Sequence, residues 1–153
     1  MIICHATTLG QIALARALFE EYASWSGLDL AFQGFATELA TLPGAYAPPR
    51  GRLLLALAGN DGAGCVAVRP LDEDVCEMKR LFVRSSFRRQ GVGKLLAEQI
   101  VTEARAIGYQ TMRLDTLASM QTAIQVYESL GFKRCAAYYQ TPLPDTVFME
   151  LQL

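Results

Sequence analysis

The stretch from Leu53 to Gly108 changes its periodicity midway, and this restricts the fold more than any other feature of the chain. A continuous apolar run, Leu53–Ala58, meets Gly59-Asn60-Asp61-Gly62, and a second run follows at Cys65–Arg69. That pattern predicts a β-hairpin, because Asn, Asp and Gly accept the backbone angles a tight reversal needs. The polar turn Leu71-Asp72-Glu73-Asp74 reverses the chain again into Val75–Val83, so three antiparallel strands are expected in mid-chain. Beyond Gly91 the period becomes helical. Val92, Leu95, Leu96, Ile100, Ala104 and Ile107 form one stripe, and Gly108 is placed to cap it in the left-handed conformation.

The flanking segments complete a mixed α/β order. Met1–Ala6 reads as a strand, and Thr7 or Thr8 as the cap of a helix whose apolar side is Ile12, Ala15, Phe19 and Tyr22, ending before Gly27. A shorter helix is expected over Phe35–Leu42, then a proline-rich loop to Pro49. Thr111–Asp115 reads as a strand and Met120–Leu130 as a helix with Ala123, Ile124 and Tyr127 inward. Cys135–Tyr139 and Val147–Leu151 read as two closing strands. The 153 residues suit one domain, 1–153, and 52% hydrophobic against 19% charged residues excludes a disordered chain. A formal net charge of -1 argues against a surface built wholly for nucleic acid, so no nucleic-acid partner is expected. The uncharged start, Met1–Ala15, is too short to span a membrane and lacks the basic residues of a secretory leader, so the expected location is cytoplasmic with no membrane partner. Four scattered cysteines fit free thiols, and His5, the single histidine, fits a strand end; no metal site is expected.

The charges are unevenly placed. Between Lys79 and Lys94 stand Lys79, Arg80, Arg84, Arg88, Arg89 and Lys94 with no acidic residue among them. Within that window the expected strand passes through a glycine-containing turn, Arg88-Arg89-Gln90-Gly91-Val92-Gly93, into the amphipathic helix. Free first-turn amides, the helix dipole and two glycines that let an anion approach the backbone make this a candidate phosphate cradle. The loop that ends in Gly-Lys-Ser/Thr fails here, since it needs a glycine at Arg88 and a hydroxyl at Leu95. The dinucleotide fingerprint fails too, since it needs a glycine at Leu96.

What does match is Arg/Gln-x-x-Gly-x-Gly/Ala, at Arg88, Gly91 and Gly93, which resembles the pyrophosphate-binding signature of the GNAT superfamily of N-acetyltransferases. Ala123-x-x-x-Tyr127-Glu128-Ser129-Leu130-Gly131-Phe132 is similar to that family's second helix motif. The resemblance implies an acyl-CoA N-acyltransferase fold: a mixed, mostly antiparallel sheet of about seven strands flanked by about four helices, with splayed central strands. It implies acetyl-CoA as cosubstrate, held by the backbone of Leu81, Phe82 and Val83 and by the amides of Arg89, Gln90, Gly91, Val92, Gly93 and Lys94, with Arg88 in the signature. It implies a proton donor to the thiolate at Tyr127 and a base at Glu77 or Asp115. An amide at a strand bulge within Leu81–Val83 would polarise the thioester carbonyl. The partner would be a small-molecule or peptide amine, and pairing through the closing strands would make a homodimer.

The residues also offer plainer readings. Glu77 can pair with Lys79 along its strand, and Asp115 can cap a loop. Tyr138 and Tyr139 read as packing aromatics. Met120 occupies the position, seven before the tyrosine, where the family commonly has Asn, and Ser119 beside it can cap the helix instead. Trp25 and Tyr46 lie in or near the loops that, by the same resemblance, would close over the acceptor. Asp29 and Glu38 would suit a cationic acceptor, Arg50 and Arg52 an acidic one. A non-catalytic acyl-CoA-binding sensor or interaction module of the same fold is the alternative function.

Overall fold

The apolar run at Leu53–Ala58 is continuous because its strand is buried on both faces. Leu54 and Ala56 join one core while Leu53 and Leu55 join another. Each fully buried leucine contributes roughly 2 kcal/mol. The computed structural model describes residues 1–153. Its strands are β1 (Ile2–His5), β2 (Arg52–Ala58), β3 (Asp61–Pro70), β4 (Val75–Val83), β5 (Thr111–Leu117), β6 (Lys133–Arg134) and β7 (Thr146–Gln152). Its helices are α1 (Leu9–Ser26), α2 (Phe35–Thr41), α3 (Val92–Ile107) and α4 (Gln121–Ser129), with 3-10 turns at Ala31–Gln33, Gly44–Tyr46 and Ser85–Phe87. The sheet runs β1-β2-β3-β4-β5-β7-β6, antiparallel except where β4 meets β5. The larger core lies under α3 and α4 and the smaller under α1.

Local chemistry fixes the helix ends. Thr8 caps α1 in a reciprocal box: its hydroxyl accepts from the Gln11 amide at 3.2 Å, and the Gln11 carboxamide oxygen accepts from the Thr8 amide at 3.0 Å. Gly27 and Gly108 end α1 and α3 in the left-handed region. No helix is long and apolar enough to cross a membrane.

The register of β3 against β4 holds the feature that shapes the rest. Cys65 pairs with Phe82 but Ala67 pairs with Lys79, so Val66 faces two residues, Arg80 and Leu81. This is a β-bulge, with Arg80 at φ 62°. One extra residue inverts the alternation of the strand. Cys76 and Met78 before the bulge, and Leu81 and Val83 after it, pack with the larger core; Phe82 packs with the smaller one. The bulge begins at Arg80, one residue before the expected Leu81–Val83, because the left-handed turn delivers the Arg80 guanidinium to Glu38 of α2. There Nε and Nη2 each donate to a different carboxylate oxygen at 2.9 Å.

Other sequence expectations need revision. β3 starts at Asp61, and β5 runs on to Leu117. Met120, not Ser119, occupies the N-cap of α4, and it caps with no side-chain bond. Cys135–Tyr139 is not a strand. After Lys133 and Arg134 only the Cys135 amide still bonds across, to the Phe148 carbonyl at 2.9 Å. Tyr138 and Tyr139 then turn inward, edge-on to Phe148 with ring centroids 5.2 and 5.3 Å away.

Close packing at the β3–β4–α3 junction depends on Gly64. A Cβ there would lie 2.4 Å from the Phe82 carbonyl oxygen and 3.2 Å from Leu96 Cδ1. Gly64→Ala is expected to destabilise the fold by about 1–3 kcal/mol, read as a lowered denaturant midpoint at unchanged slope. An unchanged midpoint would show that β3 and β4 can part at this point without cost.

Candidate active site

β4 and β5 pair in parallel only from Val75↔Thr111 to Glu77↔Arg113. Beyond that point β4 stays with β3 as far as Val83 and β5 stays with β7 as far as Leu117. The bulge turns β4 aside and the two strands diverge, leaving the β5-facing edge of Leu81–Val83 without a strand partner. Into this gap opens a cleft of about 760 Å³. Of the residues singled out from the sequence, Leu81, Phe82, Val83, Arg88, Arg89, Gly91, Val92, Gly93, Lys94, Asp115 and Tyr127 line it. Gln90 and Glu77 do not.

At one end of the cleft lies the β4–α3 loop. Arg89 and Gly91 both take positive φ, 62° and 77°, and the first α-helical bond of α3 runs from the Leu95 amide to the Gly91 carbonyl at 3.0 Å. The amides of Arg89, Gln90, Gly91, Val92, Gly93 and Lys94 therefore have no acceptor in the protein. A Cβ on Gly91 would meet nothing within 4 Å, so the space beside it is open. Unpartnered successive amides at a helix start fit a diphosphate group, by hydrogen bonds and by the helix dipole together.

Most of the basic side chains nearby have structural partners. Arg84 pairs with Glu21 of α1 at 2.6 and 2.9 Å and donates to the Gly62 carbonyl; Lys94 lies 3.9 Å from Glu98. Arg88 donates to the Val83 carbonyl at 3.0 Å, and its guanidinium stacks 4.6 Å from the Trp25 ring. Only Arg89 in this window has no protein partner.

The two candidate carboxylates differ. Glu77 is 1% exposed, and Arg69, its register partner on β3, holds it through Nε at 2.9 Å and Nη2 at 2.8 Å. This cross-strand pair takes the place of the pairing with Lys79 that the sequence suggests. Tyr138 donates to the other Glu77 oxygen at 2.5 Å. Asp115 lines the cleft, has no cation within 4.0 Å, and accepts from the Tyr139 hydroxyl. Tyr138 and Tyr139 are thus more than packing aromatics, since each carries one of the carboxylates. Their only trace in the sequence is two adjacent phenols, which a strand cannot point to the same side.

Tyr127 is buried on α4 beside Phe132, ring centroids 5.8 Å apart, and its hydroxyl faces the cleft without a protein partner. Burial, reinforced by Tyr22 and Asp115, pushes its pKa up, so the phenol keeps its proton. Cys76 is buried under α3, and burial pushes its thiol up to about 12.

The charges that the sequence offers to an acceptor are occupied elsewhere. Glu38 is held by Arg80, and Asp29 caps the Ala31 amide at 2.9 Å. Arg50 bonds Tyr109 and the Asp72 and Glu73 carbonyls, while Arg52 bonds the Pro49 and Gly51 carbonyls and lies 3.5 Å from Glu103. Tyr46 is buried against Phe19, whereas Trp25, half exposed at the end of α1, lines the cleft.

Comparison with known proteins agrees with this architecture. Residues 14–132 match the acetyltransferase (GNAT) family. An uncharacterised N-acetyltransferase of Schizosaccharomyces pombe is 41% identical over 140 residues, covering 90% of this chain and 86% of the relative. An acetyltransferase from Streptococcus agalactiae superposes with TM-score 0.82 at 20% identity over 99% of this chain and 98% of its own. A GNAT acetyltransferase from Elizabethkingia anophelis, solved with acetyl-CoA bound, superposes with TM-score 0.59 at 22% identity over 67% of this chain and 76% of its own. With its split sheet and the matched span of residues, the chain belongs to the GNAT family of acetyltransferases.

Proposed function

We propose that this chain is an N-acetyltransferase that moves an acetyl group from acetyl-CoA to the amine of a small-molecule or peptide acceptor by direct attack. The observation that carries the reading is the run of six unpartnered amides, Arg89 to Lys94, five of whose residues, all but Gln90, line the same cleft as Asp115 and Tyr127. The amides hold the pyrophosphate of the cosubstrate, and the unpaired edge of Leu81–Val83 receives its amide-bearing arm as an added strand. Bound acetyl-CoA supplies an acyl carbon already activated as a thioester, so the chain's task is to bind, orient and move protons.

Asp115 is the base: its carboxylate takes a proton from the attacking nitrogen, and its place on the cleft favours it over Glu77, which is walled off behind Tyr138. Tyr127 Oη donates toward the departing sulfur with the proton that burial secures. A backbone amide of the bulge at Arg80–Leu81 polarises the carbonyl oxygen. Glu77 fixes Tyr138, and with it the segment carrying Tyr139, so it positions the base without touching the reaction.

Calorimetric titration with acetyl-CoA is expected to give one-to-one binding that Gly91→Glu abolishes, the added carboxylate entering open space in the cradle. No binding by the folded protein would remove the reading. Tyr127→Phe should lower kcat by about 10- to 100-fold and leave acetyl-CoA affinity nearly unchanged; an unaltered kcat would remove the acid role. In pH–rate profiles, Asp115→Asn should lose the acidic limb while Glu77→Gln keeps it, and the reverse result would exchange their roles.

A further inference from the structure

The cleft contains a buried lysine with no counter-ion. Lys79 on β4 is 7% exposed and lines the cleft, and the only hydrogen bond its ammonium makes is to the neutral Gln33 carboxamide oxygen at 3.1 Å. No carboxylate lies within 4.0 Å of it. The cations around it are all matched: Arg80 with Glu38, Arg69 with Glu77 and Arg84 with Glu21. Asp115 is its mirror image, a carboxylate on the opposite side of the split with no cation and one phenol. An unneutralised buried ammonium is costly unless something in the working complex compensates for it.

On the reading that the attacking amine meets Asp115, we propose that the acceptor is a small amine carrying its own free carboxylate, as an amino acid does, and that this carboxylate seats on Lys79. Such a molecule brings one charge of each sign to a cleft that has one unmatched charge of each sign. A polyamine or an aminoglycoside would bring further cations toward Lys79, and a lysine side chain would bring no anion, so each would leave it unmatched. The bulge explains how the lysine comes to be there. Lys79 and Arg80, adjacent in sequence, both donate to the Gln33 oxygen, and Glu38 neutralises Arg80 as an ion pair while Lys79 is left without a carboxylate. Tyr22, Leu28, Leu30 and Leu143 add apolar walls to the cleft, in which a charge-assisted bond is strong.

Burial lowers the Lys79 pKa, with Glu77 and Asp115 opposing that shift and Arg80 and Arg69 adding to it. The ammonium charge is therefore lost at lower pH than for an ordinary lysine. KM for a carboxylated acceptor should rise on the alkaline side accordingly, and Lys79→Arg, which keeps its charge, should remove that rise.

The test uses the intact protein, acetyl-CoA and free L-amino acids, each compared with its own α-carboxamide, with thiol release as the readout. The acids are expected to react with kcat/KM about tenfold or more above the carboxamides. Lys79→Met should raise KM for the acids by about 10- to 100-fold with KM for acetyl-CoA unchanged, closing the gap to the carboxamides. If the unaltered protein accepts carboxamides or carboxylate-free amines as readily as acids, the inference is overturned, whatever the variants do. It is overturned equally if Lys79→Met slows acids and carboxamides to the same extent. A protein that binds no acetyl-CoA loses the transferase reading as well, whereas one that binds it and acetylates only carboxylate-free amines loses this inference alone.

Discussion

The bidentate pair between Arg80 and Glu38 is the interaction on which the rest of the molecule depends. Both side chains are largely buried, 3% and 14% exposed, and removing either partner would strand a charge at a cost of about 3–5 kcal/mol. That energy holds a non-glycine residue in the left-handed region in the middle of a strand. From this one anchored residue follow the inversion of β4, its divergence from β5, and the cleft between them. It also sets Lys79 and Arg80 side by side toward Gln33, while the residues beyond the bulge send Leu81 and Val83 under α3.

The β4–α3 loop uses its charges differently from what its composition suggests. Six basic residues in a row of sixteen look like an electrostatic trap, but two of them pair with carboxylates from distant helices and one folds back onto its own strand. Apart from the Arg89 side chain, the groups of this loop left unpartnered are backbone amides. A cradle of amides is fixed by the fold itself, needs no side-chain ordering, and survives changes of side chain at most of its positions. This is why glycine spacing is a better guide to the site than the density of lysine and arginine.

Periodicity makes most of the scaffold legible. The hairpins, α1 with its cap, α3 with its stripe and terminal glycine, and the loop itself follow from interactions a few residues apart, which a sequence displays directly. Partners far apart are not legible. By periodicity Val75–Val83 reads as a regular strand, and only the family resemblance implies a bulge, within Leu81–Val83; nothing in the segment marks Arg80, whose mark is Glu38, forty-two residues away. Glu77 takes Arg69 from the facing strand in preference to its neighbour Lys79, because strand register places them directly opposite. Cys135–Tyr139 alternates well enough for a strand, yet its two phenols are drawn to carboxylates 61 and 24 residues earlier, and the pairing with β7 ends at the single Cys135–Phe148 bond.

Arg88 has a mechanical consequence. Anchored on the Val83 carbonyl and stacked on Trp25, it couples the β4–α3 loop to the last turn of α1, and Arg84 makes a second tie from the same loop to Glu21. That side of the cleft is a braced beam, and a load on the loop is carried into the length of α1. The facing side, residues 135–145, has no ladder: between one backbone bond at each end, Cys135 to Phe148 and Ala118 to Asp145, it is held by two phenol–carboxylate bonds and by the packing of the same phenols on Phe148. Compliance in this molecule is thus one-sided: the rigid bank holds the anion cradle, and the yielding bank is tethered to Glu77 and Asp115.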